Sequence, residues 1–97
     1  MANITQQGNQ WRISGDVLMG NANALLNQSN TFEMTGATEV DFSAVTDIDT
    51  VAISLMLEWQ RRAVASNCTV TFTHLPVNLV SLAELYGVTE FFSIRVH

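Results

Sequence analysis

The sequence contains no lysine, one cysteine, one proline and five scattered glycines. Without lysine there is no Schiff-base nucleophile and no phosphate-loop lysine. The four cationic side chains are arginines (Arg12, Arg61, Arg62, Arg95) set against nine acids, for a net charge of −5. No basic stripe is available to neutralise phosphates, so nucleic acid is not an expected partner. The same shortage removes a polybasic lipid anchor, and direct membrane insertion is not expected either. Gly8, Gly15, Gly20, Gly36 and Gly87 stand too far apart to form a G-x-G-x-x-G cradle. Cys68 has no second cysteine to pair with, and Cys68, His74 and His97 are too few for a zinc site. A reduced cytoplasmic setting is therefore expected. Residues 1–7 carry neither the basic nor the apolar part of a secretory signal. The longest apolar stretch, Val51 to Leu57, is broken by Ser54 and far too short to span a bilayer.

What is present is a hydrophobic fraction of 47% and a charged fraction of 13% over 97 residues. That balance excludes a disordered tail and fits one domain with one core across residues 1–97. Ile4–Gln7 and Gln10–Ser14 read as strands around a Gly8-Asn9 hairpin turn, with Gly15-Asp16 ending the second. Asn21 is placed to cap a short helix carrying Ala22, Leu25 and Leu26, followed by a polar loop. Ala37–Phe42 reads as a strand and Asp41–Asp49 as turn-rich. A helix is expected from Asp49 or Thr50 to about Ser66, with Ala52, Met56, Trp59 and Ala63 as its apolar stripe. On its other side Glu58 and Arg62 stand at i, i+4, the favourable order for an ion pair. Ile53 and Leu57 flank the stripe, either completing the core or forming a partner-facing edge.

Thr69–Thr73 alternates as a half-buried strand. Pro76 fits the first turn of a last helix carrying Leu79, Leu82, Leu85 and Tyr86, and Gly87 fits its terminator. Trp59 and Tyr86 read as core or core edge, and a short last strand is expected within Phe91–Val96. The order β-β-α-β-α-β-α, with that final strand, predicts an α/β fold with a mixed, mostly parallel sheet. The hairpin gives it an antiparallel edge. Strict alternation in the strands at Ala37 and Thr69 places the helices mainly on one face.

The run from Val40 to Ala52 carries the most information. Asp41-Phe42-Ser43 ends a strand, and Ile48-Asp49-Thr50 opens a helix after a short loop. In order, spacing and context this resembles the signature of STAS domains, the family of bacterial anti-sigma-factor antagonists and transporter-associated modules. Val51-Ala52 replaces the small pair usual after the hydroxyl residue; Ala52 stays small and Val51 departs. The resemblance covers roughly Trp11 to Phe92. Leu55 to Ala63 and Leu82 to Val88 are similar to one branch, the small cytoplasmic STAS subunit of Mla-type phospholipid-transport ABC transporters.

That branch implies a non-enzymatic accessory subunit without cofactor. Its partner is the transporter's ATPase subunit, bound at the cytoplasmic face of the inner membrane, with self-association left open. Thr50 is then the central contact or a possible phospho-acceptor, and Asp49, Val51 and Ser54 supply the cap and adjoining contacts. The alternative is an anti-sigma-factor antagonist in which an anti-sigma kinase phosphorylates Thr50. Physically, Asp49 suits an N-cap, which leaves Thr50 at the positive end of the helix dipole. Unsatisfied N–H groups there tolerate an added phosphate. Asp41, Asp47 and Asp49 offer carboxylate oxygens for magnesium, but no calcium-loop pattern accompanies them. His74, beside Leu75-Pro76, reads as a surface loop histidine rather than as the base of a small hydrolase using Asp47 or Asp49.

Overall fold

Gly8, at φ +60°, turns the chain between β1 (Asn3–Gln7) and β2 (Gln10–Val17), which pair antiparallel. The computed structural model describes residues 2–89 and 92–95. After β2 come α1 (Ala22–Ser29), β3 (Ala37–Ile48), α2 (Val51–Ala65), β4 (Thr69–Thr73), α3 (Val77–Leu85) and β5 (Ser93–Arg95). The sheet has five strands in the order β1-β2-β3-β4-β5, and every pairing after the hairpin is parallel. This is the mixed, mostly parallel α/β sheet expected. Phe91 and Val96, the bounds of the expected last strand, lie outside the described residues, as does His97.

Alternation along the strands decides which face is covered. Trp11, Ile13, Val40, Phe42, Val70 and Phe72 point to the helical side and are buried. Gln10, Arg12, Glu39 and Thr71 point the other way and form a polar open face. The helices therefore pack on one side, α1 beside β1 and α2 across β4, with α2 between α1 and α3. Ala52, Met56, Trp59 and Ala63 are all at or below 1% exposure, so the apolar stripe of α2 faces the sheet as its spacing requires. Both later helices end in a Schellman arrangement. Asn67 (φ +58°) and Gly87 (φ +67°) take the left-handed position. The following amides, of Cys68 and Val88, donate back to the Ala63 and Ala83 carbonyls.

Four local expectations are corrected. Gly15-Asp16 does not end β2, and Asp41–Asp49 is not mainly turn. The two segments pair with each other instead, from Ser14↔Ala44 to Val17↔Ile48, with irregular register at Gly15 (φ +84°). The ladder satisfies backbone groups that the Gly, Ser and Asp content alone would have assigned to turns. Asn21 stands at the start of α1 but makes no cap bond to its first turn. Its Oδ1 accepts from the Leu18 amide and its Nδ2 donates to the Asp16 carbonyl, closing the β2–α1 turn. Pro76 precedes α3 as its N-cap residue, at ψ 147°, rather than standing in the first turn.

Glu58 pairs with Arg61 at 2.7 Å and not with Arg62. The Arg62 guanidinium reaches across to α1, donating to the Ser29 carbonyl at 2.8 Å and to the Phe32 carbonyl. It also lies 5.4 Å from the centre of the Trp11 ring. Two backbone carbonyls, at and just beyond the end of α1, and an aromatic face outcompete one exposed carboxylate. Tertiary structure decides this pairing.

Candidate partner-binding site

The start of α2 is organised by Asp49. Its amide donates to the Val17 carbonyl at 3.2 Å, tying the end of β3 to the end of β2. Its Oδ1 accepts from the Val51 amide at 2.8 Å and its Oδ2 from the Met19 amide at 3.0 Å. Thr50 already has helical dihedrals (φ −62°, ψ −19°), so the capping geometry makes Asp49 the N-cap and Thr50 the first helical residue. The Thr50 side chain makes no capping bond and is exposed. Val51 is half-buried against the core, and Ser54 is exposed one turn further along.

Thr50 and Ser54 line a groove of about 440 Å³ together with Ile53, Leu57, Tyr86 and Val88. The structure thus joins two of the residues singled out in the sequence to an apolar wall built from α2 and the end of α3. Ile53 (6% exposed) belongs to the core, whereas Leu57 (40%) is on the surface, which resolves the two flanking positions. Trp59 is in the core, but Tyr86 is 56% exposed, so its expected core role is corrected. Tyr86 is the C-cap of α3, where the chain turns away at Gly87 and the side chain leaves the packed face. The adjoining Gly87 was the available sequence signal for this.

Asp41 belongs to a second cluster on the open sheet face. Its carboxylate accepts from the Ser43 amide at 2.8 Å and the Ser43 hydroxyl at 3.0 Å. His74 Nδ1 donates to it at 3.1 Å, and Arg12 Nε lies 3.6 Å away. Burial alone would raise the Asp41 pKa, but the two Ser43 hydrogen bonds, His74 and Arg12 together bring it below the ordinary value. The three aspartates considered for magnesium serve different backbone groups, Asp41 at Ser43, Asp47 at the Ile48 amide, and Asp49 at Val51 and Met19. His74 closes the β4–α3 turn at φ +56°.

A carboxylate with a lowered folded pKa contributes stability above its unfolded pKa and loses it as pH falls through the folded value. Asp41 should therefore contribute its full stabilisation above about pH 3.8 and lose it progressively below that, as pH falls through its lower folded value. Urea titrations from pH 6 to about pH 2 should show the wild-type advantage over Asp41→Asn shrinking below about pH 4. A constant difference across that range would show that ionisation of Asp41 is not what stabilises the cluster.

The STAS-domain family described as "Mlab, STAS domain" matches residues 2–95. The chain belongs to this family. A solved structure titled as the anti-sigma factor antagonist SpoIIAA in its unphosphorylated form superposes with a TM-score of 0.65 at 10% identity. The match covers 100% of this chain and 89% of that one, and at this identity it establishes a shared fold. Comparison with curated protein sequences finds no match. No helix among the described residues is long and apolar enough to cross a membrane.

Proposed function

We propose that this chain is a non-enzymatic STAS-domain subunit that binds the ATPase of an ABC transporter moving phospholipid between membranes. It regulates or stabilises that ATPase by binding one of its conformational states more tightly than another. The observation that carries the reading is the exposed Thr50 hydroxyl at the rim of an apolar groove walled by Leu57 and Tyr86. A polar tip beside exposed apolar side chains suits a protein interface better than bulk water. The family description and the Mla-like stretches 55–63 and 82–88 support the choice of partner. The complex would hold the chain at the cytoplasmic face of the inner membrane without any insertion of its own.

Co-purification with candidate ATPase subunits of phospholipid-transport ABC complexes tests this directly. A stoichiometric complex is expected, and its absence under mild conditions would remove the assignment. The antagonist reading is favoured by one feature, an uncapped and accessible Thr50 hydroxyl at a helix N-terminus. Intact-mass analysis after incubation with an anti-sigma kinase distinguishes the two. One added phosphate on Thr50, with no ATPase binding, would promote the antagonist.

A further inference from the structure

Helix α3 carries large apolar side chains on the side that has no neighbour, among polar Asn78, Ser81 and Glu84. Leu79 and Ala83 face the core at 0% exposure. Val77 and Leu85, on the opposite side, are 83% and 77% exposed. Val77, Ser81 and Leu85 recur every fourth residue and form one ridge, and Asn78, Leu82 and Tyr86 form the next. Such paired ridges bound a furrow that accepts a ridge of another helix, with the small Ser81 leaving room at the midpoint. Two large apolar side chains left in water on a helix whose other side is already buried are what a covering partner removes from solvent.

The charge around this face says what covers it. Glu84 is exposed in the last turn of α3, at the negative end of the helix dipole, where no basic residue accompanies it. Among the described residues nothing pairs with it. Arg12 is held at Asp41, Arg61 at Glu58, and Arg62 at the carbonyls of Ser29 and Phe32. A carboxylate at that end of a helix is unfavourable alone and becomes favourable when a cation is brought to it.

We propose that the outer face of α3 docks an amphipathic helix of the partner, its apolar ridge in the Val77–Leu85 furrow and a lysine or arginine at Glu84. This rests on the ATPase reading and deepens it, adding a second contact beyond Thr50. The two are continuous, because Leu85 ends the furrow and the next residue, Tyr86, lines the Thr50 groove.

The test measures affinity of the full-length chain for the full-length ATPase subunit of a phospholipid-transport ABC complex from the same organism, at several salt concentrations. The double variant Val77→Ser/Leu85→Ser and the single variant Glu84→Lys alter exposed positions and should melt with the wild type, Glu84→Lys slightly higher. Each should weaken binding more than tenfold, and Glu84→Lys should also reduce the salt dependence. Wild-type affinity in both variants would overturn the α3 proposal while leaving the ATPase reading intact. No binding by the wild type would instead overturn the ATPase reading and this proposal with it. Sedimentation of the chain alone supplies a further check. A dimer abolished by Val77→Ser/Leu85→Ser would assign the face to a second copy and overturn the proposal.

Discussion

Thr50→Glu should weaken the complex with the ATPase by roughly 3–5 kcal/mol, about a hundredfold or more in Kd. The isolated domain should hardly notice the change. Thr50 is exposed and uses its side chain for no capping bond, while Asp49 keeps its bonds to Val51 and Met19. A carboxylate in the first helical turn is, if anything, stabilising by about 0.3–1 kcal/mol. In the complex the same carboxylate would be enclosed by the groove of Ile53, Leu57, Tyr86 and Val88, with no described cation beside it. Burial of an unpaired charge is where the expected loss arises. Thr50→Ala provides the contrast, removing a hydroxyl without adding charge and changing stability by no more than about 0.5 kcal/mol. Calorimetric titration against the ATPase, with thermal melts of the three proteins, checks both halves. Equal affinities would take Thr50 out of the interface. A large fall in melting temperature for Thr50→Ala would make the residue structural instead.

The part of this site that is local in the chain was legible from the sequence. An aspartate that caps and a hydroxyl residue that opens a helix announce themselves by spacing, and Asp49 and Thr50 occupy those places. The apolar wall was not legible, because Leu57 and Tyr86 come from different helices and meet only after α2 and α3 pack. The core follows the same division. Ala52, Met56, Trp59 and Ala63, and the alternating Val70 and Phe72, were readable because burial on one face imposes a period. The extensions of β2 to Val17 and of β3 to Ile48 were hidden by Gly15, Asp16, Ser43 and Asp47. Those residues favour turns locally, and the strand partner that overrides them is some thirty positions away. Arg62 shows the limit most plainly, since its i, i+4 partner Glu58 was available and α1 offered it more.

The interaction centred on Arg62 also marks where the fold is most vulnerable. Trp59 is 1% exposed, stands edge-on to Trp11 at 6.0 Å, and donates its indole N–H to Ser29 Oγ at 2.9 Å. Ser29, itself fully buried, donates its hydroxyl to the Leu26 carbonyl at 2.7 Å, while its own carbonyl receives Arg62. Trp11 packs edge-on against Phe32 at 5.3 Å, so α1, α2, β2 and the loop after α1 meet at this one cluster. Trp59→Ala removes the largest side chain of α2 from that junction and should cost about 3–5 kcal/mol through lost transfer energy and the cavity left behind. Domains of this size are stable by about 5–15 kcal/mol, so the loss is a large fraction of the total. Trp59→Phe keeps much of the volume and loses the indole N–H, which adds about 0.5–1.5 kcal/mol for the missing hydrogen bond. Urea unfolding followed by far-UV circular dichroism should show a far lower midpoint for Trp59→Ala than for Trp59→Phe, with similar slopes. A loss below about 1 kcal/mol for Trp59→Ala would mean that the junction collapses around the missing ring, as well-filled cores do not. Equal losses for the two variants would instead put the cost in the hydrogen bond to Ser29 rather than in the packing of Trp59 against Trp11.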